Sequence, residues 1–144
     1  MDLPIKVLIV EDSIFVQKLL RDIINSEDDM EVMAIASDPY IAREIISKQK
    51  PDIITLDIDM PKMNGLTFLK LLKKHYPIPT LIISTLTRKN SDMEMRALEL
   101  GAYDVVEKPS MLTKDTFYKS KQEIIEKIRA SIYIDRLREF SFGN

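Results

Sequence analysis

At 144 residues and 45% hydrophobic, the chain fits one domain with a proper core, since about 100–200 residues usually make a single domain. A net charge of −2 with 31% charged residues describes a mixed surface without the basic excess that tracks phosphate backbones, so nucleic acid is not an expected direct partner. The absence of cysteine excludes disulfides, thiolate zinc sites and cysteine nucleophiles; no run reaches the length of a membrane span or has a signal-peptide layout, and the expected location is the cytoplasm.

In chain order, short apolar runs alternate with helical patterns. The runs 6–10, 31–36, 52–56, 80–84 and 103–107 are too apolar to be half exposed and predict parallel strands covered on both faces. After the first, a helix is predicted from about Ser13, with Phe15, Leu19 and Ile23 beside Val16, Leu20 and Ile24 on one apolar stripe. Asp38-Pro39 places a capping acid before a first-turn proline, and Ile41, Ala42, Ile45 and Ile46 predict the buried face of the second helix. The third follows Asn64-Gly65, with Leu66, Leu69 and Leu72 inside. Ser91 to Glu94 fits a capping box for the fourth, which stops at Gly101. The last helix starts near Thr113. Ile124, Ile125 and Ile128 suffice to cover the sheet, yet the pattern continues through Ile132, Tyr133, Leu137 and Phe140. The expected organisation is therefore a domain over 1–130 and a helical extension or linker over 131–144, read as a route to an effector or a docking edge.

Five β-α units joined by right-handed crossovers make a parallel sheet with helices on both faces, whose ligand site lies beyond the carboxyl ends of the strands. Those ends carry Glu11 and Asp12, then Asp57, then Ser84 and Thr85, then Lys108-Pro109. Taken singly, each has a plain explanation as a cap, a turn or a solvated lysine. Their convergence on one edge points instead to a hard cation and a phosphoryl group. Three close carboxylates raise one another's pKa unless a cation shares them, and oxygen ligands suit Mg²⁺. The expected ligands are Asp12, Asp57 and a main-chain carbonyl at Asp59, with Glu11 acting through a bound water. Opposite Lys108, the Asp57 carboxylate is then placed to attack phosphorus in line, and Ser84 to bond the new phosphate.

The stretches VLIVEDS, LDIDMPKMNGLTFL, PTLIISTLT, RALELGAYDVVEKPS and EKIRAS resemble the receiver domains of two-component response regulators, over about residues 5–130. The last three stretches are similar in particular to the receiver half of chemotaxis protein-glutamate methylesterases. The resemblance implies a flavodoxin-like (βα)5 doubly wound sheet of strand order 2-1-3-4-5. It implies phosphorylation of Asp57 by a histidine kinase of chemotaxis type, metal binding by Glu11 and Asp12, and an effector domain or protein as output. It also implies a phosphate-sensing hydroxyl at Ser84, a phosphate-pairing Lys108 and a cis bond at Lys108-Pro109. A stand-alone regulator acting by protein contact is the alternative.

Two departures stand out. Where many receivers carry an aromatic switch, this chain has Val105, so switching is expected to rely on the Ser84-Thr85 loop and the fourth helix. No G-x-S-x-G nucleophile turn is present, and the lone histidine, His75, reads as a surface residue, so no enzymatic activity is expected of this chain. The D-x-D spacing of Asp57 and Asp59 also fits haloacid-dehalogenase-type phosphatases, but Pro61 and the motif's place on the third strand count against them. With glycine only at 65, 101 and 143, no Gly-rich nucleotide loop can form.

Overall fold

The computed structural model describes residues 3–59, 65–85 and 88–142, with the side chains of 88–90, 136 and 138–142 left aside. In chain order the elements are β1 (Ile5–Val10), α1 (Ile14–Asn25), β2 (Met30–Ala36), α2 (Pro39–Lys48), β3 (Ile53–Asp57), α3 (Gly65–His75), β4 (Thr80–Ser84), α4 (Arg88–Glu99), β5 (Asp104–Glu107) and α5 (Lys114–Phe142). The strands form one parallel sheet in the order β2-β1-β3-β4-β5, the order that the resemblance implies. Chain order reverses between β1 and β3, where Val10 pairs with Leu56 and the next residues on each side are Glu11 and Asp57.

The side-chain alternation of the strands divides the core in two. On one face Leu8, Val10, Ile54, Leu56 and Ile82 meet Ala42 and Ile46 of α2, Leu66, Phe68, Leu69 and Leu72 of α3, and Ala97 of α4. On the other, Val7, Ile9, Ile53, Leu81, Ile83 and Val106 meet Leu20, Ile23 and Ile24 of α1 and Ile124, Ile125, Ile128 and Ile132 of α5. The central strands β3 and β4 are buried along their whole length, as their unbroken apolar runs require; the edge strands β2 and β5 are partly open, which the sequence reading did not anticipate.

Local signals set most helix ends. Ser13 caps α1 by accepting from the Val16 N–H, and Asp38 caps α2 by accepting from the Ile41 N–H with Pro39 at the first position. Gly101, at φ +102°, closes α4: its N–H bonds the Leu98 carbonyl and that of Ala102 bonds Ala97, the paired bonds of a Schellman end.

Three expectations are corrected. Phe15 is 62% exposed rather than on the buried stripe, which Leu19, Leu20, Ile23 and Ile24 form, with Val16 and not Phe15 packed partly buried against the core in the first turn. Ile41 also faces outward, leaving Ala42 and Ile46 as the buried positions of α2. The fourth helix already begins at Arg88, so Ser91 to Glu94 lie inside α4 and do not cap it; once nucleated, a helix propagates through such residues at small cost. The Pro61 to Asn64 turn and Phe140 fall among residues or side chains outside those described. Among the described residues, no helix is long and apolar enough to cross a membrane.

Candidate functional site

Main-chain bonds carry the sheet's ladder one residue past β1, β3 and β5 and fix the site residues there. The Glu11 N–H donates to the Ala36 carbonyl, that of Ile58 to Ile83, and that of Lys108 to Ser84. Glu11 and Asp57 consequently stand side by side, each about 1% exposed, while Asp12 on the following bend is open to solvent. One oxygen from each of these three carboxylates lies within 4.8 Å of the others. Lys108 reaches over them from the end of β5, its Nζ 3.5 Å from Asp57 Oδ1 and 3.8 Å from Glu11 Oε1.

Burial pushes the Glu11 carboxyl up to about 8, with the neighbouring Asp57 charge adding to it and the Ser13 N–H and Lys108 opposing it. Burial also raises the Asp57 carboxyl, against the Asp59 N–H and Lys108, which favour its charged form. The Asp59 N–H donates to Asp57 Oδ1 at 3.0 Å and the Ser13 N–H to Glu11 Oε2 at 3.0 Å. The remaining oxygens, Glu11 Oε1 and Asp57 Oδ2, are buried without a hydrogen-bond partner. Buried carboxylate oxygens left this way are costly, and an all-oxygen, anionic donor set around them fits a hard divalent cation.

The sequence-predicted residues fall into two groups. Glu11, Asp12, Asp57 and Lys108 come together. Asp59 is exposed and touches the cluster through its main chain. Ser84 is buried at the end of β4 with its hydroxyl turned onto the Thr85 carbonyl at 3.1 Å, and Thr85 is exposed. Val105 packs partly buried against the α2–α4 layer. The Lys108–Pro109 bond is trans, as are all bonds of the described residues. This corrects the expected cis bond: trans is the favoured X-Pro state by about 0.5–1 kcal/mol, and it already brings Lys108 to Asp57.

Two neighbours of the site, one of which supports it, fall outside the residues expected from the sequence. Gln17, one turn into α1, donates from Nε2 to the Glu11 carbonyl at 2.7 Å and ties the helix to the acid-bearing bend. Thr55 lies two residues before Asp57 on the same sheet face, buried, with its hydroxyl unpartnered. Gln17 left no signal, because a polar residue at that position also reads as solvated. Thr55 was legible as the one hydroxyl inside an otherwise aliphatic strand.

Comparison with known proteins agrees with this geometry. The family model of the response regulator receiver domain matches residues 7–116. A protein-glutamate methylesterase/protein-glutamine glutaminase of Geobacter metallireducens is 49% identical over 89% of the chain, and one from Methylobacillus flagellatus 46% over 90%. The chain spans about a third of the length of these curated relatives. Among solved structures, the response regulator domain of Thermotoga maritima CheB is 40% identical, with a TM-score of 0.79 over 90% of this chain and 97% of that one. A structure of the P1 domain of CheA3 in complex with CheY6 from R. sphaeroides matches at 30% identity and a TM-score of 0.76, over 92% of this chain and 99% of the matched one. The five-stranded parallel sheet accords with these matches, and the chain belongs to the response regulator receiver family, the phosphoacceptor domains of two-component signalling, and is similar within it to the receiver of CheB.

Proposed function

We propose that Asp57 is the phosphoacceptor, that Mg²⁺ is the cofactor, and that the phosphoryl group comes from a histidine kinase of chemotaxis type. The observation that carries this reading is the placement of Lys108 Nζ 3.5 Å from Asp57 Oδ1 within a cluster of three carboxylates. Asp12, Asp57 and the main-chain carbonyl of Asp59 would hold the ion, with Glu11 as an outer partner. When bound, Mg²⁺ supplies positive charge against phosphoryl oxygens.

Asp57 Oδ1 is engaged by the Asp59 N–H and Lys108, which orients the carboxylate and leaves Oδ2 with its lone pairs unused. One oxygen of the Asp57 carboxylate forms the new bond to phosphorus as the P–N bond of the phosphohistidine breaks, the electron pair of that bond returning to the imidazole nitrogen. Lys108 balances charge on the transferred group. The Ser84 hydroxyl exchanges its bond to the Thr85 carbonyl for one to a phosphoryl oxygen, and that exchange moves the loop into α4.

The output we infer is control of a methylesterase, with α5 as the route. That helix is continuous across residues 130 and 131, and its packing reaches Ile132, so the receiver's core extends slightly past 130 while Tyr133, Ile134 and Leu137 face outward as the linking or docking arm. A cytoplasmic location accords with such a role. Incubation with acetyl phosphate and Mg²⁺ tests the acceptor: one labile phosphate per chain, lost in Asp57→Asn, is the expected result. Stoichiometric labelling of Asp57→Asn, or turnover of many phosphate esters per chain, would overturn it.

A further inference from the structure

The bend that carries two of the three clustered acids is held largely by bonds within itself and to the neighbouring strand. The Glu11 N–H donates to the Ala36 carbonyl at 3.0 Å, and the Ser13 N–H to Glu11 Oε2 at 3.0 Å. Ser13 accepts at Oγ from the Val16 N–H at 3.3 Å and at its carbonyl from the Gln17 N–H at 2.9 Å, which starts α1. The peptide between Glu11 and Asp12 is fixed differently. Its carbonyl oxygen accepts from Gln17 Nε2 at 2.7 Å, so a side chain of the following helix sets where that plane stands. Gln17 is itself half-buried, and the next turns of α1 are anchored in the core by Leu20, Ile23 and Ile24, which gives it a rigid mount.

A peptide unit is planar, so fixing its oxygen constrains the last backbone torsion of Glu11 and the first of Asp12. Those torsions aim the Cα–Cβ bond of Asp12. The aim matters more for Asp12 than for its neighbours, since packing locks Glu11 and Asp57 at about 1% exposure while Asp12 is open to solvent. With one oxygen of each carboxylate within 4.8 Å of the others, mutual repulsion drives the exposed acid outward, away from the place where it can share a cation. Outer partners that orient metal ligands typically account for about 10- to 100-fold in metal affinity. We infer that Gln17 is a positioning residue for the cation site: through the Glu11 carbonyl it holds the Asp12 carboxylate beside Glu11 and Asp57. The inference rests on the proposed role of Asp12 as a cation ligand.

Mn²⁺ is the probe, because carboxylate and carbonyl oxygens suit it as they suit Mg²⁺ and its free concentration is read by electron paramagnetic resonance without a phosphoryl donor. The full chain is titrated with Mn²⁺ at neutral pH. Gln17→Met keeps the stem and removes the donor, and is expected to weaken binding about tenfold. Gln17→Glu keeps the shape but sets an acceptor against the Glu11 carbonyl. Its added negative charge alone would tighten cation binding, whereas the broken positioning bond is expected to weaken it as in Gln17→Met. Arg129→Ala loosens the hold of α5 on the turn between α1 and β2, away from the acids, and is expected to keep the parent's Mn²⁺ affinity. In labelling by acetyl phosphate, both Gln17 variants should need about tenfold more Mg²⁺ for half-maximal rate, yet come within about twofold of the parent at saturating Mg²⁺. An affinity of Gln17→Met within about threefold of the parent, tighter binding by Gln17→Glu, or an equal loss in Arg129→Ala would each overturn the inference and leave the chemistry of Asp57 standing. A parent chain that takes up no Mn²⁺ at millimolar concentration would overturn the proposed cation site itself, and the inference with it.

Discussion

Lys108 Nζ stands 3.5 Å from Asp57 Oδ1, a separation of charges rather than a tight hydrogen bond, so the ammonium keeps donor capacity for an incoming phosphoryl oxygen. Replacing it by Met keeps the apolar stem and removes the charge. Labelling of Lys108→Met by acetyl phosphate is expected to slow about 10²-fold, the usual loss when one preorganised donor to a developing charge is removed. A rate within threefold of the parent would show that Lys108 has no part in the transfer.

The raised Glu11 carboxyl sets a pH dependence of stability in metal-free solution. Its folded pKa of about 8 exceeds the ordinary value of 4.5, so the folded chain keeps a proton that the unfolded chain releases first. With more protons bound when folded, stability falls as pH rises. This contribution is complete below about pH 4.5 and is lost by about pH 8. Urea titrations over that window should show the decline; Glu11→Gln should flatten it, and Mg²⁺ should restore stability at the high-pH end.

Thr55 carries a buried hydroxyl with no partner, two residues below the acceptor on the same face. Valine has the same shape without the desolvated oxygen. Thr55→Val should therefore stabilise the domain by about 1 kcal/mol and raise Tm by roughly 3 °C. A lower Tm in calorimetry would mean that the hydroxyl is satisfied in solution.

A β-carbon on Gly65 would stand 3.0 Å from both the Cα and the carbonyl oxygen of Ile58, backbone atoms next to the acceptor that cannot swing aside. Gly65→Ala should cost about 1–3 kcal/mol and slow labelling of Asp57 by displacing the loop. Unchanged stability and unchanged labelling together would contradict the close packing of α3 on that loop.

Arg129 of α5 holds the turn between α1 and β2, donating from Nε to Asp29 at 2.7 Å and from Nη2 to Glu27 at 2.7 Å and Asp29 at 3.0 Å. The pair is half exposed, so Arg129→Ala is expected to cost only about 1 kcal/mol, read from chemical denaturation. The Arg129 guanidinium holds the Asp29 carboxyl below its ordinary value, and this part of the stability is present at neutral pH and lost as pH falls through the folded pKa.

Much of this was legible beforehand because the signals are local. The aliphatic runs of β3 and β4, the Ser13 and Asp38 caps and the Gly101 stop each follow from a few adjacent residues, and five such units leave little topological choice. The convergence of Glu11, Asp12, Asp57 and Lys108 then follows from strand ends alone. What was not legible depends on neighbours distant in sequence. The apolar period through Phe15 is genuine, but Val16 takes the inward side of that turn, and only the assembled domain reveals which of the two neighbours is covered. The same holds for Gln17, whose partner is a main-chain carbonyl that becomes reachable when β1 and α1 are both in place.

The main-chain bond from the Lys108 N–H to the Ser84 carbonyl, 2.9 Å long, makes two groups on different strands into prongs of one fork. The side chains turn independently, but the backbone of neither strand tip moves far without straining that bond. A backbone displacement at the tip of β4 on ordering by a bound oxyanion would then be felt at the tip of β5 as well, through a bond worth about 1 kcal/mol.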